Sequence, residues 1–299
     1  MKMSANADSK TVQTLEEAEA FTRTLATSHY ENFLVGSVLI PKEKRQHVYN
    51  LYAFARTADD LADEISDSTQ SLAALDAFEA DLKACFQGEA RGPIFVALSR
   101  TIREFNLSIE PFQRLLTAFR QDRRQNRYQT FNDLLNYCQN SANPVGEIFL
   151  QLFGYRETKL IPYSDAICTG LQLANFWQDV ARDARKNRLY LPLEDLKKHG
   201  VSEQEIFEKQ FTENFRTLMA FEISRTQTYF DRGKKLFEFL GRDILLDVRL
   251  FVAGGEAVLK AIRKIDYNVL SQRPILTKKD QARLFAREWW KSKRTFLWR

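Results

Sequence analysis

"RTADDLADEISD", residues 56–67, places Asp59, Asp60, Asp63 and Glu64 within six consecutive positions and adds Asp67 one turn later. Val48, Leu51, Tyr52, Ala55 and Ala58 recur at helical spacing just before it, which predicts one helix running into the acidic stretch. Residues four apart on a helix share a face. Asp59 and Asp63 therefore present two carboxylates together, and Arg56 and Tyr52 extend that stripe backward by about a turn each. Asp60 and Glu64 form an adjacent, supporting pair, and Asp67 reads as solvated. Like charges at this spacing are mildly unfavourable in an isolated helix. From this segment alone, a solvated acidic face and a carboxylate site are equally open.

A second segment decides between them. "LQLANFWQDVARDARKNRLYLP", residues 171–192, is also helical in pattern, with Gln172, Asn175, Asp179 and Asp183 at successive steps of three, four and four. Oxygen donors dominate that stripe. Hard divalent cations such as Mg²⁺ take oxygen ligands, and Mg²⁺ uses one or two carboxylates and completes its shell with water and substrate phosphates. Two carboxylate pairs on facing helices suit several Mg²⁺ ions holding a diphosphate. No histidine lies near either pair in sequence, which argues against zinc or a Glu-x-x-His di-iron site. A helical interior lined with aspartates is costly unless cations compensate it.

The rest of the chain fits a helical frame. Its 299 residues contain 11 Gly and 7 Pro, few for a turn-rich β fold. Apolar residues recur at helical spacing almost throughout, as in Phe112, Leu115, Leu116 and Phe119. An all-α fold in one domain over 13–299 is predicted, with residues 1–12 disordered. The stretch 186–204, "KNRLYLPLEDLKKHGVSEQ", reads either as a plain connection or as a flap over a site. Three scattered cysteines offer no CxxC and fit a reducing cytoplasm. The polar start lacks the apolar core of a signal peptide, and no run of 18 apolar residues predicts a membrane span. A net charge of +5 admits nucleic acid, an anionic membrane surface or an anionic substrate. No nucleic-acid-binding signature is present, so nucleic acid is not expected as a partner.

"YAFARTADDLADE" (52–64), followed by "NFWQDVARD" (175–183) and "RLYLP" (188–192), resembles the squalene/phytoene synthase family. "IPKEKRQHVYNLYAFAR" (40–56) and "YCQNSANPVGE" (137–147) extend the match, which covers roughly residues 25–275. The resemblance implies an all-α isoprenoid synthase fold with a central cavity for long isoprenoid chains and Mg²⁺ at its mouth. By motif match, Asp59 and Asp63 belong to the first metal motif, and Asn175, Asp179 and Asp183 to the second. Tyr52, Arg56 and Tyr137 fall at catalytic positions. Phe33, Arg56, Gln172 and Asn175 fall at substrate positions, with Tyr267 and Arg273 as weaker matches.

Three departures stand out. Condensing members usually carry a Lys-Ser-Phe type stretch where this chain has Glu31-Asn32-Phe33, and often an Arg where it has Gln178. Asn143-Pro144 replaces their Gly-Thr. With "RPIL" (273–276), these features look most like a subgroup of bacterial hopanoid pathways that converts presqualene diphosphate to hydroxysqualene. Joining two farnesyl diphosphates requires two diphosphates to be neutralised, whereas this lyase handles one; losing two cations suits the latter. Tyr52, Tyr137 or Phe33 would stabilise cationic intermediates by their π faces. NADPH is not expected for this reaction, and no GxGxxG is present. The partners implied are presqualene diphosphate and the pathway enzymes before and after it. Alternatives are a squalene, presqualene diphosphate or phytoene synthase, and a non-catalytic helical scaffold; retention of Asp59, Asp63, Asp179 and Asp183 argues against the scaffold.

The tail "ARLFAREWWKSKRTFLWR" interleaves Arg283, Arg287, Lys291, Lys293, Arg294 and Arg299 with Phe285, Trp289, Trp290, Phe296 and Trp298. That pattern on a helix predicts either docking of 283–299 on a membrane surface or packing of the aromatics on the bundle with the basic face in water. A cytoplasmic protein, peripheral on the inner face of the membrane, is the corresponding location.

Overall fold

The computed structural model describes residues 14–28 and 40–295, without the side chains of Arg294 and Thr295. The expected disordered start, residues 1–12, and Glu31, Asn32 and Phe33 lie outside the described residues. Prolines and polar caps set the helix starts. Pro41 precedes α2 (Lys42–Asp63), and Asp67 caps α3 (Ser68–Phe86) by accepting a hydrogen bond from the Gln70 amide at 2.8 Å. Asp67, read from sequence as solvated, thus has a local structural task. Pro93 and Pro111 open α4 (Gly92–Phe105) and α5 (Glu110–Asp122), and Thr130 and Asp133 make a capping box at α6 (Phe131–Ser141). Pro144 and Pro162 start α7 (Asn143–Leu152) and the long α8 (Ile161–Arg185). An N-terminal α1 (Leu15–Ser28) precedes these. Then follow α9 (Leu193–His199), α10 (Glu203–Phe207), α11 (Glu213–Gly233), α12 (Leu245–Lys264) and α13 (Lys278–Thr295). Among the described residues there is no β-strand, only one isolated parallel bridge between Arg127 and Leu189.

Two hydrophobic clusters organise the bundle. Helices α2 to α5 enclose Phe54, Phe78, Phe95 and Phe112, whose rings meet edge-on, stacked or tilted with centroids 4.8–6.3 Å apart. The larger cluster gathers α6 to α12 around Trp177 and Phe230, both fully buried. The Trp177 indole donates to Thr226 Oγ1 at 2.7 Å, which fastens α8 to α11. Asn50 ties three helices: it accepts from Thr22 of α1 at 2.7 Å and donates to the Ala97 carbonyl and Thr101 hydroxyl of α4.

Phe230 is also a wedge. A Cβ at Gly255 of α12 would lie 2.4 Å from its Cζ, and one at Gly170 of α8 would lie 3.0 Å from its Cε1. Only glycine at both places lets α8 and α12 close on the ring.

The stretch 186–204 is a packed connection rather than a flap. Tyr190 stacks on Phe176 with centroids 3.8 Å apart, and Leu189 hydrogen-bonds to the Asn126 carbonyl at 3.0 Å. Arg225 then fixes α9 by donating to Asp195 at 2.6 Å.

Candidate active site

Between the two clusters lies a cavity of about 340 Å³, within the range of small-molecule sites. Its walls are almost wholly apolar and come from α2, α5, α7, α8 and α12. Leu51 and Ala55 face it from α2, and Ile167 and Leu171 from α8. Four residues beyond Ala55 comes Asp59, then Asp63; four beyond Leu171 comes Asn175, then Asp179 and Asp183. On each helix the stripe that lines the cavity turns from hydrocarbon to carboxylate as it climbs. Leu171 to Asp183 covers about 18 Å of helix axis at 1.5 Å per residue. The structure therefore gives the cavity an apolar body and an acidic end.

Tyr52 lines the cavity, and Arg56 stands one turn above it. The Arg56 guanidinium lies 3.3 Å from Asp59 and pairs with Asp60. Asn175 is exposed, while Gln172 is half-buried beside Leu171. Gln178 is buried. Its amide donates to the Pro274 carbonyl at 2.5 Å, and Arg273 approaches its oxygen at 3.4 Å. Arg273 also donates to Asp179 at 3.1 Å, so the "RPIL" stretch folds back over the second acidic motif. Tyr267 follows α12 with φ of 63° and packs on the larger core; it is not among the residues that line the cavity.

Tyr137 is buried in an aromatic box with Tyr128, Phe176 and Tyr190. Its hydroxyl donates to Asp122 Oδ2 at 2.9 Å. Asp122, the last residue of α5, leaves Oδ1 buried with no partner. Burial pushes its carboxyl up to about 7, with Asp63 and Asp59 adding to the rise and Tyr137 and Arg188 opposing it.

The connection after α8 supplies the remaining charges. Arg188 donates to Asp63 Oδ1 at 2.8 Å and Lys186 to Oδ2 at 3.2 Å. Burial acts on Asp63, but these two cations outweigh it and hold the carboxyl below its ordinary value. Asp59 and Asp183 go the other way. Burial, then the neighbouring Asp63, raises Asp59. Burial, then Asp179, pushes Asp183 up to about 6. Asp183, Arg188, Phe176 and Tyr190 share the wall of one small recess, so Arg188 stands between the two acidic motifs.

Sequence reasoning passed over Asp122, Lys186 and Arg188. Arg188 opens "RLYLP", which was quoted for its resemblance without a role. Asp122 sits alone at a helix end, where no periodic pattern marks it.

The residues fit a divalent cation by chemistry. Every donor on the two motifs is a hard oxygen, and Asp59 and Asp183 are raised by burial first and by a neighbouring carboxylate second, a buried negative charge that a cation relieves. Among the described residues, no group of three or more His, Cys, Asp or Glu is assembled to hold an ion. In this conformation Arg56, Arg188, Lys186 and Arg273 take the places beside the carboxylates.

Comparison with known proteins agrees with this architecture. The crystal structure of squalene synthase HpnC from Alicyclobacillus acidocaldarius superposes with a TM-score of 0.82 at 42% identity, covering 85% of this chain and 96% of that one. A dehydrosqualene synthase in complex with ligand superposes at 0.85 with 24% identity, over 93% and 98% of the two chains, which speaks for the fold alone. The 15-cis-phytoene synthase of Synechococcus elongatus is 31% identical over 277 residues, 89% of this chain and 90% of that protein. The family model of squalene/phytoene synthases matches residues 26–280. The all-α chain belongs to the squalene/phytoene synthase family.

Proposed function

We propose that the protein converts presqualene diphosphate to hydroxysqualene, acting as a Mg²⁺-dependent carbon–oxygen lyase without NADPH, within one domain. The observation that carries this reading is Gln178. Where condensing relatives often place an arginine, a neutral buried amide is committed to the Pro274 carbonyl. The described cations near the mouth, Arg56, Lys186, Arg188 and Arg273, are each paired with a carboxylate. Such a mouth suits one diphosphate better than two. The 42% identity to a structure named as a squalene synthase supports the squalene branch over the phytoene one.

Asp59 and Asp63 on one helix, with Asn175, Asp179 and Asp183 on the other, would hold the metal. Bound Mg²⁺ neutralises charge on the leaving diphosphate. Arg56 and Arg273 orient that group, aided by Gln172. The carbon–oxygen bond breaks with its electron pair on the diphosphate, and the cyclopropylcarbinyl cation rearranges in the apolar cavity. The Tyr52 ring, on the wall of the cavity, would stabilise the cation by its π face. Water then forms the new carbon–oxygen bond and gives up a proton. A C30 isoprenoid chain partitions into bilayers, which supports our reading of a cytoplasmic protein held against the inner face of the membrane.

The second reading is condensation of two prenyl diphosphates, favoured by the 31% identity to phytoene synthases. Product analysis separates them. The protein with Mg²⁺ should convert presqualene diphosphate to hydroxysqualene with or without NADPH, and Asp59→Asn and Asp179→Asn should abolish this. Efficient formation of presqualene diphosphate from farnesyl diphosphate alone, or of phytoene from geranylgeranyl diphosphate, would overturn the lyase reading.

A further inference from the structure

Four of the nine exposed large hydrophobic residues among those described fall within one short stretch: Ile275, Phe285, Trp289 and Trp290. Trp290 is 64% exposed and Ile275 65%. Clustered exposed apolar side chains mark interaction surfaces in a way that scattered ones do not. Helix α13 has a clear inner side. Glu288 is buried and pairs with Arg249 of α12 at 3.7 Å, and α12 in turn lines the cavity through Val248 and Phe251. At about 100° per residue, Trp290 lies roughly opposite Glu288. So do Lys279, Arg283 and Lys293, and all four are exposed. The outer face is thus a tryptophan set among lysine and arginine.

The acidic residues do not balance it. Residues 278–293 carry six Lys or Arg against Asp280 and Glu288, and Glu288 faces inward. Trp289 and Trp290 meet edge-on with centroids 6.0 Å apart, and Lys293 lies 3.8 Å over the Trp289 ring. Tryptophan belongs at the headgroup level of a bilayer, with basic residues on lipid phosphates. A second copy of this chain would bring Lys279, Arg283 and Lys293 against the same three cations, so charge selects an anionic surface.

We propose that the outer face of α13 docks on an anionic lipid bilayer and that the 271–277 segment couples this contact to the cavity mouth. One residue, Pro274, separates exposed Ile275 from Arg273, whose guanidinium holds Asp179, and the Pro274 carbonyl holds Gln178. Docking therefore sets the acidic mouth next to the membrane surface. The docking does not depend on which product the site forms.

The test is flotation of the full-length protein with vesicles of neutral phosphatidylcholine, alone or mixed with anionic phosphatidylglycerol. Binding should require the anionic lipid and weaken with added salt. Each Lys or Arg near such a surface contributes roughly a fivefold gain in partition, so Lys279→Glu/Arg283→Glu/Lys293→Glu should lower it by on the order of a hundredfold or more. Trp290→Ser should weaken binding to the anionic vesicles while circular dichroism stays unchanged. Turnover of detergent-solubilised substrate should be unaffected by these changes, which separates loss of docking from loss of the site. Equal flotation with neutral vesicles, wild-type flotation by the triple variant, or a dimer in light scattering that dissociates on Trp290→Ser would each overturn the proposal.

Discussion

Replacing Asp183 by Asn should stabilise the metal-free protein and abolish its activity. Burial and Asp179 push the Asp183 carboxyl from 3.8 to about 6. A native carboxyl raised in this way binds its proton more tightly than the unfolded chain does. It stabilises the fold below about pH 4, and that stability is lost as pH rises through about 6. Between 3.8 and about 6, holding the charge costs about 3 kcal/mol at pH 7.5 and about 1 kcal/mol at pH 4.5 before solvent screening. The group is partly solvated, so roughly half of each is the sounder figure. Asn keeps the shape and removes the charge. The expected gain is about 1–2 kcal/mol at pH 7.5, or a rise in Tm of about 2–6 °C for a chain of this size, falling towards zero at pH 4.5. Thermal melting monitored by circular dichroism at both pH values, with EDTA and with Mg²⁺, measures it. Mg²⁺ with diphosphate should raise the Tm of the wild type more than that of the variant, by mass action on the folded state. A variant that melts lower than wild type at pH 7.5 in EDTA, or a difference that does not change with pH, would refute the charge-excess account of the site.

Three further outcomes follow from the same geometry. Tyr137→Phe removes the hydroxyl that supports Asp122 and should cost about 1–3 kcal/mol at pH 8. The cost should shrink at pH 5, where Asp122 is protonated, and urea denaturation at the two pH values checks this. Gly255→Ala should lower stability by about 1–3 kcal/mol through overpacking against Phe230, whereas Gly254→Ala, with nothing within 4 Å of its added carbon, should be near neutral in the same melts. Leu171→Phe should narrow the cavity and cut kcat/KM for a C30 diphosphate by about tenfold or more, a change in transition-state energy of about 1.4 kcal/mol. Steady-state kinetics would show it.

The helical class and the two acidic stripes were legible because both are periodic. Asp59, Asp63, Asp179 and Asp183 announce themselves by four-residue spacing, and the structure sets each stripe directly above the hydrocarbon wall of its own helix. Gln178 was legible only by comparison with a family pattern, and its partner, the Pro274 carbonyl, is 96 residues away. Long-range partners of this kind leave no local trace. Arg188 and Lys186 reach Asp63 across more than 120 residues. Asp122 meets Tyr137 because α5 and α6 pack side by side. The reading of 186–204 as either loop or flap failed to separate the two because loop composition says nothing about anchoring. Ring stacking of Tyr190 on Phe176 supplies that anchor.

The Phe230 ring held between Gly170 and Gly255 acts as a fixed gauge. Leu171, the next residue to Gly170, lines the cavity, so the width of the chamber at that level is set by the thickness of a phenyl group. Moving α8 and α12 apart would require changes on three helices at once, since a smaller residue at 230 leaves a void and a larger one at 170 or 255 collides. Substrate length should therefore drift through single substitutions of cavity-facing side chains, Leu171 included, while the Gly170–Phe230–Gly255 contact stays constant among relatives that differ in product.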